Sequence, residues 1–131
     1  KMIPSIISGG THKDIRGVLN YNNSFDLSNV KRMYVIENVI TIVRRWQGHK
    51  IEQRWFSAIQ GEFEIQLIKI DNWNNPNKES EKVTFMLSDK TLDVLHIPSG
   101  YITSIKSLLE GSKLRFFRLN SKSRKVDEVI K

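Results

Sequence analysis

The segment GEFEIQLIKID, residues 61–71, alternates Phe63, Ile65 and Leu67 with Glu62, Glu64 and Gln66. Side chains of an extended strand point to opposite faces with period two, so one face of this segment seeks a core and the other water. VKRMYVIEN (30–38) repeats the pattern, with Val30, Arg32, Tyr34 and Ile36 on one face and Lys31, Met33 and Val35 on the other. In IEQRWFSAIQG (51–61), Trp55, Ser57 and Ile59 alternate with Arg54, Phe56 and Ala58. THKDIRGVLNY reads as a turn-rich start passing into one short strand that ends near Tyr21. TIVRRW, KVTFMLS, VLHIPSGYITSI with its Pro-x-Gly turn, and LLEGSKLRFFRL with a turn at Gly111 supply further strands. NNSFDLS and NWNNPNKES hold the Asn, Asp and Ser that stabilise turns. About eight to ten short strands, with only weak helix candidates, predict an all-β antiparallel sandwich or barrel. A Rossmann-like sheet is excluded by the lack of alternating helices, and neither a Gly-rich phosphate loop nor an internal repeat is present.

The chain has 131 residues, the size of one domain spanning 1–131, with a polar basic tail from about 120. That tail, NSKSRKVDEVIK, reads as a solvated extension or a short terminal helix. Cysteine is absent, so disulfides and thiolate metal sites are excluded. KMIPSIISGG lacks a signal-peptide apolar run, and no stretch has the length of a membrane span. The expectation is a soluble, cytoplasmic chain without a membrane partner.

The net charge of +7 raises nucleic acid as a partner. However, residues 61–112 carry five Lys/Arg against eight Asp/Glu, while residues 1–60 and 113–131 are each +5. An acidic middle would interrupt a continuous basic groove, which leaves a nucleic-acid-binding β-barrel as the minor alternative. The densest mixture of charge and aromatics is RRWQGHKIEQRWF (44–56). It is too apolar for a basic tail and too charged for an ordinary core strand. A cationic, aromatic-walled pocket serves a phosphate-bearing small molecule as well as it serves DNA. Trp46 and Trp55 read as core or interface aromatics, and His12 and His96 as structural histidines.

Gly61 closing one strand, and Pro98 and Gly100 about forty residues later, resemble the two signatures of the cupin jelly roll. At the positions where metal-binding cupins place ligands stand Gln47, His49, Gln53 or Arg54, and Thr103. One imidazole in such a set holds a divalent metal poorly, so no metal and no cofactor are expected. DIRG (14–17), VKRMYVIEN, VRRWQGHK (43–50) and LHIPSGYITSI (95–105) follow the order found in metal-independent cupins acting on dTDP-hexoses. The chain resembles the sugar-nucleotide 3,4-ketoisomerases, or WxcM-like proteins, over about residues 9–118, and more distantly dTDP-4-dehydrorhamnose 3,5-epimerase.

The resemblance implies a double-stranded β-helix that forms homodimers and takes a dTDP-4-keto-6-deoxyhexose, with no nucleic-acid partner. The implied activity is isomerisation or epimerisation by α-proton transfer through an enolate or enediol, in surface-polysaccharide synthesis. Such chemistry needs a base titrating near neutrality and donors facing the developing oxyanion. His49 matches the second histidine of the ketoisomerase H-x-H and is the candidate base. Gln47 stands at the first and can donate its amide to the sugar's C4 oxygen. Arg44 and Arg54 are candidates for phosphate or oxyanion contact; surface ion pairs with Glu52, Glu62 or Glu64 are the alternative. Arg16 of DIRG, Arg32, Tyr34 and Tyr101 complete the candidate substrate-binding set, although strand phase leaves the face of Arg32 open. The epimerase's catalytic tyrosine would fall near Phe116 or Phe117, and its histidine base has no equivalent. The second functional reading is therefore a catalytically silent cupin that binds a nucleotide sugar or other carbohydrate.

Overall fold

The computed structural model describes residues 3–48, 52–75 and 80–119, together with the backbone of residues 127–128. The described chain is built of strands: β1 Ser5–Ile7, β2 Gly10–Asp14, β3 Gly17–Tyr21, β4 Arg32–Ile36, β5 Arg44–Gly48 and β6 Arg54–Gln60. They are followed by β7 Glu62–Lys69, β8 Lys82–Ser88, β9 Val94–Ile97, β10 Tyr101–Ser107, β11 Lys113–Arg118 and β12 Asp127–Glu128. One sheet has the order β1-β9-β6-β11-β4 and the other β12-β5-β10-β7-β8, with β2 and β3 forming a separate hairpin. All of these pairings are antiparallel.

The two sheets share a core. Phe56, Ala58, Leu95, Ile97 and Leu114 come from the first, and Phe63, Ile65, Leu67, Leu87, Tyr101 and Ile105 from the second. The expected phase of β7 holds, because Phe63, Ile65 and Leu67 are fully buried. Each such side chain contributes roughly 1.5–3 kcal/mol through removal from water. Trp55, on the opposite face of β6, enters a second cluster with Val94 and Phe117, and Trp46 packs with Ile68, Ile70 and Ile102. Both tryptophans are thus wall residues, as their sequence context suggested.

Turns join the strands where the sequence has turn residues. Gly61, at φ +78°, links β6 to β7, and an added Cβ would meet Ser112 Oγ at 2.1 Å. Only glycine fits that backbone and that gap.

Two expectations differ from the structure. THKDIRGVLNY is a hairpin, not one strand: the Asp14 carboxylate accepts the Arg16 N–H at 2.9 Å, and the chain reverses before β3. In the C-terminal segment, Asp127 and Glu128 form β12 against Gly48 and Gln47, where a solvated extension or a helix was expected. Edge strands recruit such segments because their backbone donors and acceptors are otherwise left to solvent.

Candidate functional site

A cavity of about 260 Å³ opens between the two sheets. The first sheet lines it with Tyr34, Arg54, Phe56, Phe116 and Arg118, and the second with Arg44, Gln47, Thr103 and Ile105.

Strand register orders the first wall in rows. Arg118 on β11 is the Cα partner of Arg54 on β6 and of Arg32 on β4. Two residues along the strand, Phe116 pairs with both Phe56 and Tyr34; the next row is Leu114 with Ala58 and Ile36. Because side chains at i and i+2 share a face, these are three cross-strand layers, cationic, then aromatic, then aliphatic. Neighbouring strands lie about 4.8 Å apart, so the first row sets three guanidinium-bearing residues side by side.

Like charges opposite one another destabilise a sheet. Glu52 offsets part of this cost: Arg118 Nε donates to its Oε1 at 2.6 Å, and Nη2 reaches the same oxygen. Both partners of this ion pair are fully buried. Glu52 is therefore not a surface partner, as the alternative reading of Arg44 and Arg54 had it, but a buried carboxylate that serves Arg118.

Arg54 is held differently. Its Nη1 donates to Thr103 Oγ1 at 3.2 Å and its Nη2 to the Tyr101 carbonyl at 3.1 Å. Its buried Nε has no hydrogen-bond partner among the described residues. Burial, and secondarily the charge of Arg118, lower its pKa to about 10 against the opposing pull of Glu52. A desolvated cation with neutral acceptors is costly until an anion joins it.

The other candidate residues are distributed as follows. Arg44 Nε donates to Asn38 Oδ1 at 2.8 Å, and Asn38 Nδ2 is anchored on the Ile105 carbonyl. Gln47 stands opposite Thr103 in the β5–β10 register, and its carbonyl accepts the Thr103 hydroxyl at 3.2 Å. Gln47, Arg54 and Thr103, three positions at which the resemblance sets metal ligands, therefore do come together. A guanidinium, an amide and a hydroxyl are not a donor set for a divalent ion.

Tyr34 stacks on Phe116 with ring centroids 4.7 Å apart, and its hydroxyl accepts Arg118 Nη1 at 3.4 Å. Arg32 is exposed on the strand face shared with Tyr34. Three candidates lie away from the cavity lining, Arg32 among them. Arg16 sits in the exposed β2–β3 turn with its guanidinium on Asp14. The Tyr101 ring is in the core beneath the Lys69 ammonium, and burial raises its pKa. Tyr101 meets the site through its carbonyl alone. His49 lies outside the described residues.

His96, read from sequence as structural, stacks on Trp55 and sets its Nε2 2.6 Å from Gln53 Oε1. The residues that sequence reasoning missed are Glu52 and Arg118. They are 66 positions apart, and no local pattern couples them. The available signal was the period-two phase of LRFFR, which sets Arg118 on the inward face with Leu114 and Phe116.

Neither a protein-family model nor a curated protein matches the sequence. Solved structures do match. The QdtA 3,4-ketoisomerase from Thermoanaerobacterium thermosaccharolyticum, in complex with TDP, aligns at TM-score 0.70 and 21% identity, covering 92% of this chain and 82% of that one. A 3,4-ketoisomerase from Helicobacter canadensis aligns at TM-score 0.72 and 19% identity, covering 95% and 88%. The dTDP-4-dehydrorhamnose 3,5-epimerase from Bacillus anthracis, with TDP and PPi bound, aligns at TM-score 0.72 and 13% identity, covering 92% and 74%. At these identities the likeness is one of fold: the chain is a cupin jelly roll of the form seen in sugar-nucleotide 3,4-ketoisomerases and dTDP-4-dehydrorhamnose 3,5-epimerases.

Proposed function

We propose that the protein is an isomerase or epimerase of a dTDP-linked 4-keto-6-deoxyhexose, acting by α-proton transfer in surface-polysaccharide synthesis. The observation that carries this reading is the cross-strand row of Arg54, Arg118 and Arg32, in which the buried Glu52 carboxylate holds Arg118. Such a row attracts a polyanion such as a diphosphate, and guanidinium groups fork onto its oxygens. The shared fold of enzymes crystallised with TDP supports the same ligand class. Arg54, preorganised and water-poor, suits an oxyanion that develops on the sugar. Gln47 and Arg44 face the same cavity from the other sheet. His49, two positions after Gln47 in the chain, is the proposed base.

We propose a cytoplasmic homodimer. The hairpin leaves Ile15, Val18 and Leu19 exposed, and β4 leaves Met33 and Val35 exposed, an apolar set that a second copy would cover. A second reading, a silent nucleotide-sugar-binding cupin, is favoured by one observation: no His, Asp or Glu is among the described residues lining the cavity. The two readings separate with His49→Asn. Loss of sugar turnover with dTDP-dependent thermal stabilisation retained is the result expected of the enzyme. Turnover unchanged in that variant overturns the assignment of the base, and a wild-type protein that dTDP stabilises without turnover is the silent cupin.

A further inference from the structure

β6 presents two differently equipped faces. Arg54 and Phe56 turn into the cavity between the sheets, whereas Trp55 turns outward. On that outer face a second cavity, of about 280 Å³, lies between β6, β9 and the segment 24–29. Asn22 fixes the segment in place. Its Oδ1 accepts the Ser24 and Phe25 N–H groups, and its Nδ2 donates to the Ile7 and Leu92 carbonyls at 2.9 and 2.8 Å. Phe25 then packs on Trp55 and Phe117, with ring centroids 6.1 and 5.5 Å away, and His96 stacks on Trp55 at 5.4 Å.

The polar groups of this cavity differ in kind from those of the first. No Lys or Arg is among the described residues that line it, against three arginines in the cavity between the sheets. Asp26 Oδ1 accepts the Ser28 N–H at 2.9 Å, and the bonds from Ser28 hold this carboxyl below its ordinary pKa. His96 Nε2 lies 2.6 Å from Gln53 Oε1. An amide oxygen only accepts, so Nε2 carries the ring proton and Nδ1 is left as an acceptor. Burial lowers the pKa of this ring, which keeps it neutral. The Gln53 amide retains its N–H donors, and Asn29 brings a second amide with both donor and acceptor.

This set selects a ligand class. A phosphate or carboxylate would meet the Asp26 carboxylate with no cation beside it. An ammonium would want an open π face, but Trp55 is enclosed by two rings and only 9% exposed. Hydroxyl groups both donate and accept, which matches a carboxylate, two amides and a neutral imidazole together. Ligand pockets run upward from about 300 Å³, so a cavity at that lower bound holds one ring rather than a chain. We propose that the outer cavity binds a single uncharged pyranose, with Asp26, Asn29, Gln53 and His96 bonding its hydroxyls and Phe25 against its C–H face. The inference stands apart from the reading of the arginine-lined cavity, which lies on the other face of β6.

The test is saturation-transfer NMR of the full chain with the methyl glycosides of glucose, galactose, rhamnose and fucose, recorded with and without dTDP. Transfer to the ring protons of at least one glycoside is expected, unchanged by dTDP, with shifts of the His96 and Trp55 ring signals on titration. Asn29→Ala removes an exposed amide, and Asp26→Asn keeps an acceptor for the Ser28 N–H, so both variants should melt as the wild type does. Each should raise the glycoside Kd about tenfold, the worth of one good hydrogen bond. Absence of transfer to all four glycosides overturns the proposal. So does transfer that dTDP abolishes, which would place the sugar in the arginine-lined cavity, and so does wild-type affinity in both variants. Shifts of the His96 and Trp55 signals by tetramethylammonium, and by no glycoside, would mark a cation site and overturn it as well.

Discussion

Arg118 and Arg54 are Cα partners across β11 and β6, and both are buried, yet their compensation differs: Arg118 lies against the Glu52 carboxylate, whereas Arg54 donates only to a hydroxyl and a carbonyl. One guanidinium is therefore part of the framework, and under the proposed function the other meets an anionic group of the ligand. The difference gives each residue its own mutational signature.

Glu52→Gln leaves Arg118 buried without its carboxylate. Removal of one partner from a buried ion pair costs about 3–5 kcal/mol. Urea unfolding of this variant should show a loss of that order, and Glu52→Gln combined with Arg118→Met should recover a substantial part of it. If Glu52→Gln unfolds like the wild type, the pair is not a structural anchor.

Arg54→Gln removes a charge from beside Arg118 and retains a donor for the Tyr101 carbonyl. The melting temperature without ligand should stay level or rise, because a repulsive buried charge is gone. The Kd for dTDP should rise at least about tenfold, equivalent to about 1.4 kcal/mol. Calorimetric titration together with a melt checks both halves. A variant that loses stability and keeps its dTDP affinity would show that Arg54 is framework as well.

Burial lowers the pKa of His96 below the ordinary histidine value of 6.5, so the folded protein holds this ring neutral more firmly than the unfolded chain does. The unfolded state then binds more protons between the two values. The associated stability is present above about pH 6.5 and is lost as pH falls through the folded pKa. In denaturant titrations at stepped pH, His96→Gln should flatten the stability profile in that acidic window. An unchanged slope would contradict the assignment.

Gly61→Ala places a methyl group 2.1 Å from Ser112 Oγ at a φ of +78°. Strain of this type, with the overpacking, costs about 1–3 kcal/mol. A guanidinium chloride melt of Gly61→Ala alone should show it. Ser112→Ala in the same chain should relieve it only in part, because the Cβ of residue 112 stays 2.8 Å from the new methyl group and the backbone strain remains.

The fold was legible because its signals are local. Phe63, Ile65 and Leu67 report the buried face of β7 by their spacing, and Gly61 and Gly100 mark the chain reversals that join consecutive strands. The hairpin at Ile15–Arg16 was missed because its turn is made by a side chain, Asp14, bonding to backbone two residues on. In the site, Tyr34, Arg44, Gln47 and Arg54 were accessible to sequence reasoning and converge on one cavity. Arg16, Arg32 and Tyr101 do not line it, since strand register and exposure are not written in the residues themselves. The Glu52–Arg118 pair joins residues 66 positions apart, and only the pairing of β11 with β6 shows that they meet.

The most direct test of the central claim is proton NMR of dTDP-4-keto-6-deoxyglucose in D₂O, with and without the protein. The account predicts loss of a sugar proton signal α to the ketone, at C3 or C5, or the growth of new sugar resonances, with the thymidine signals unchanged in number. Broadened thymidine signals without any exchange at the sugar carbons, or no effect at all, would contradict it.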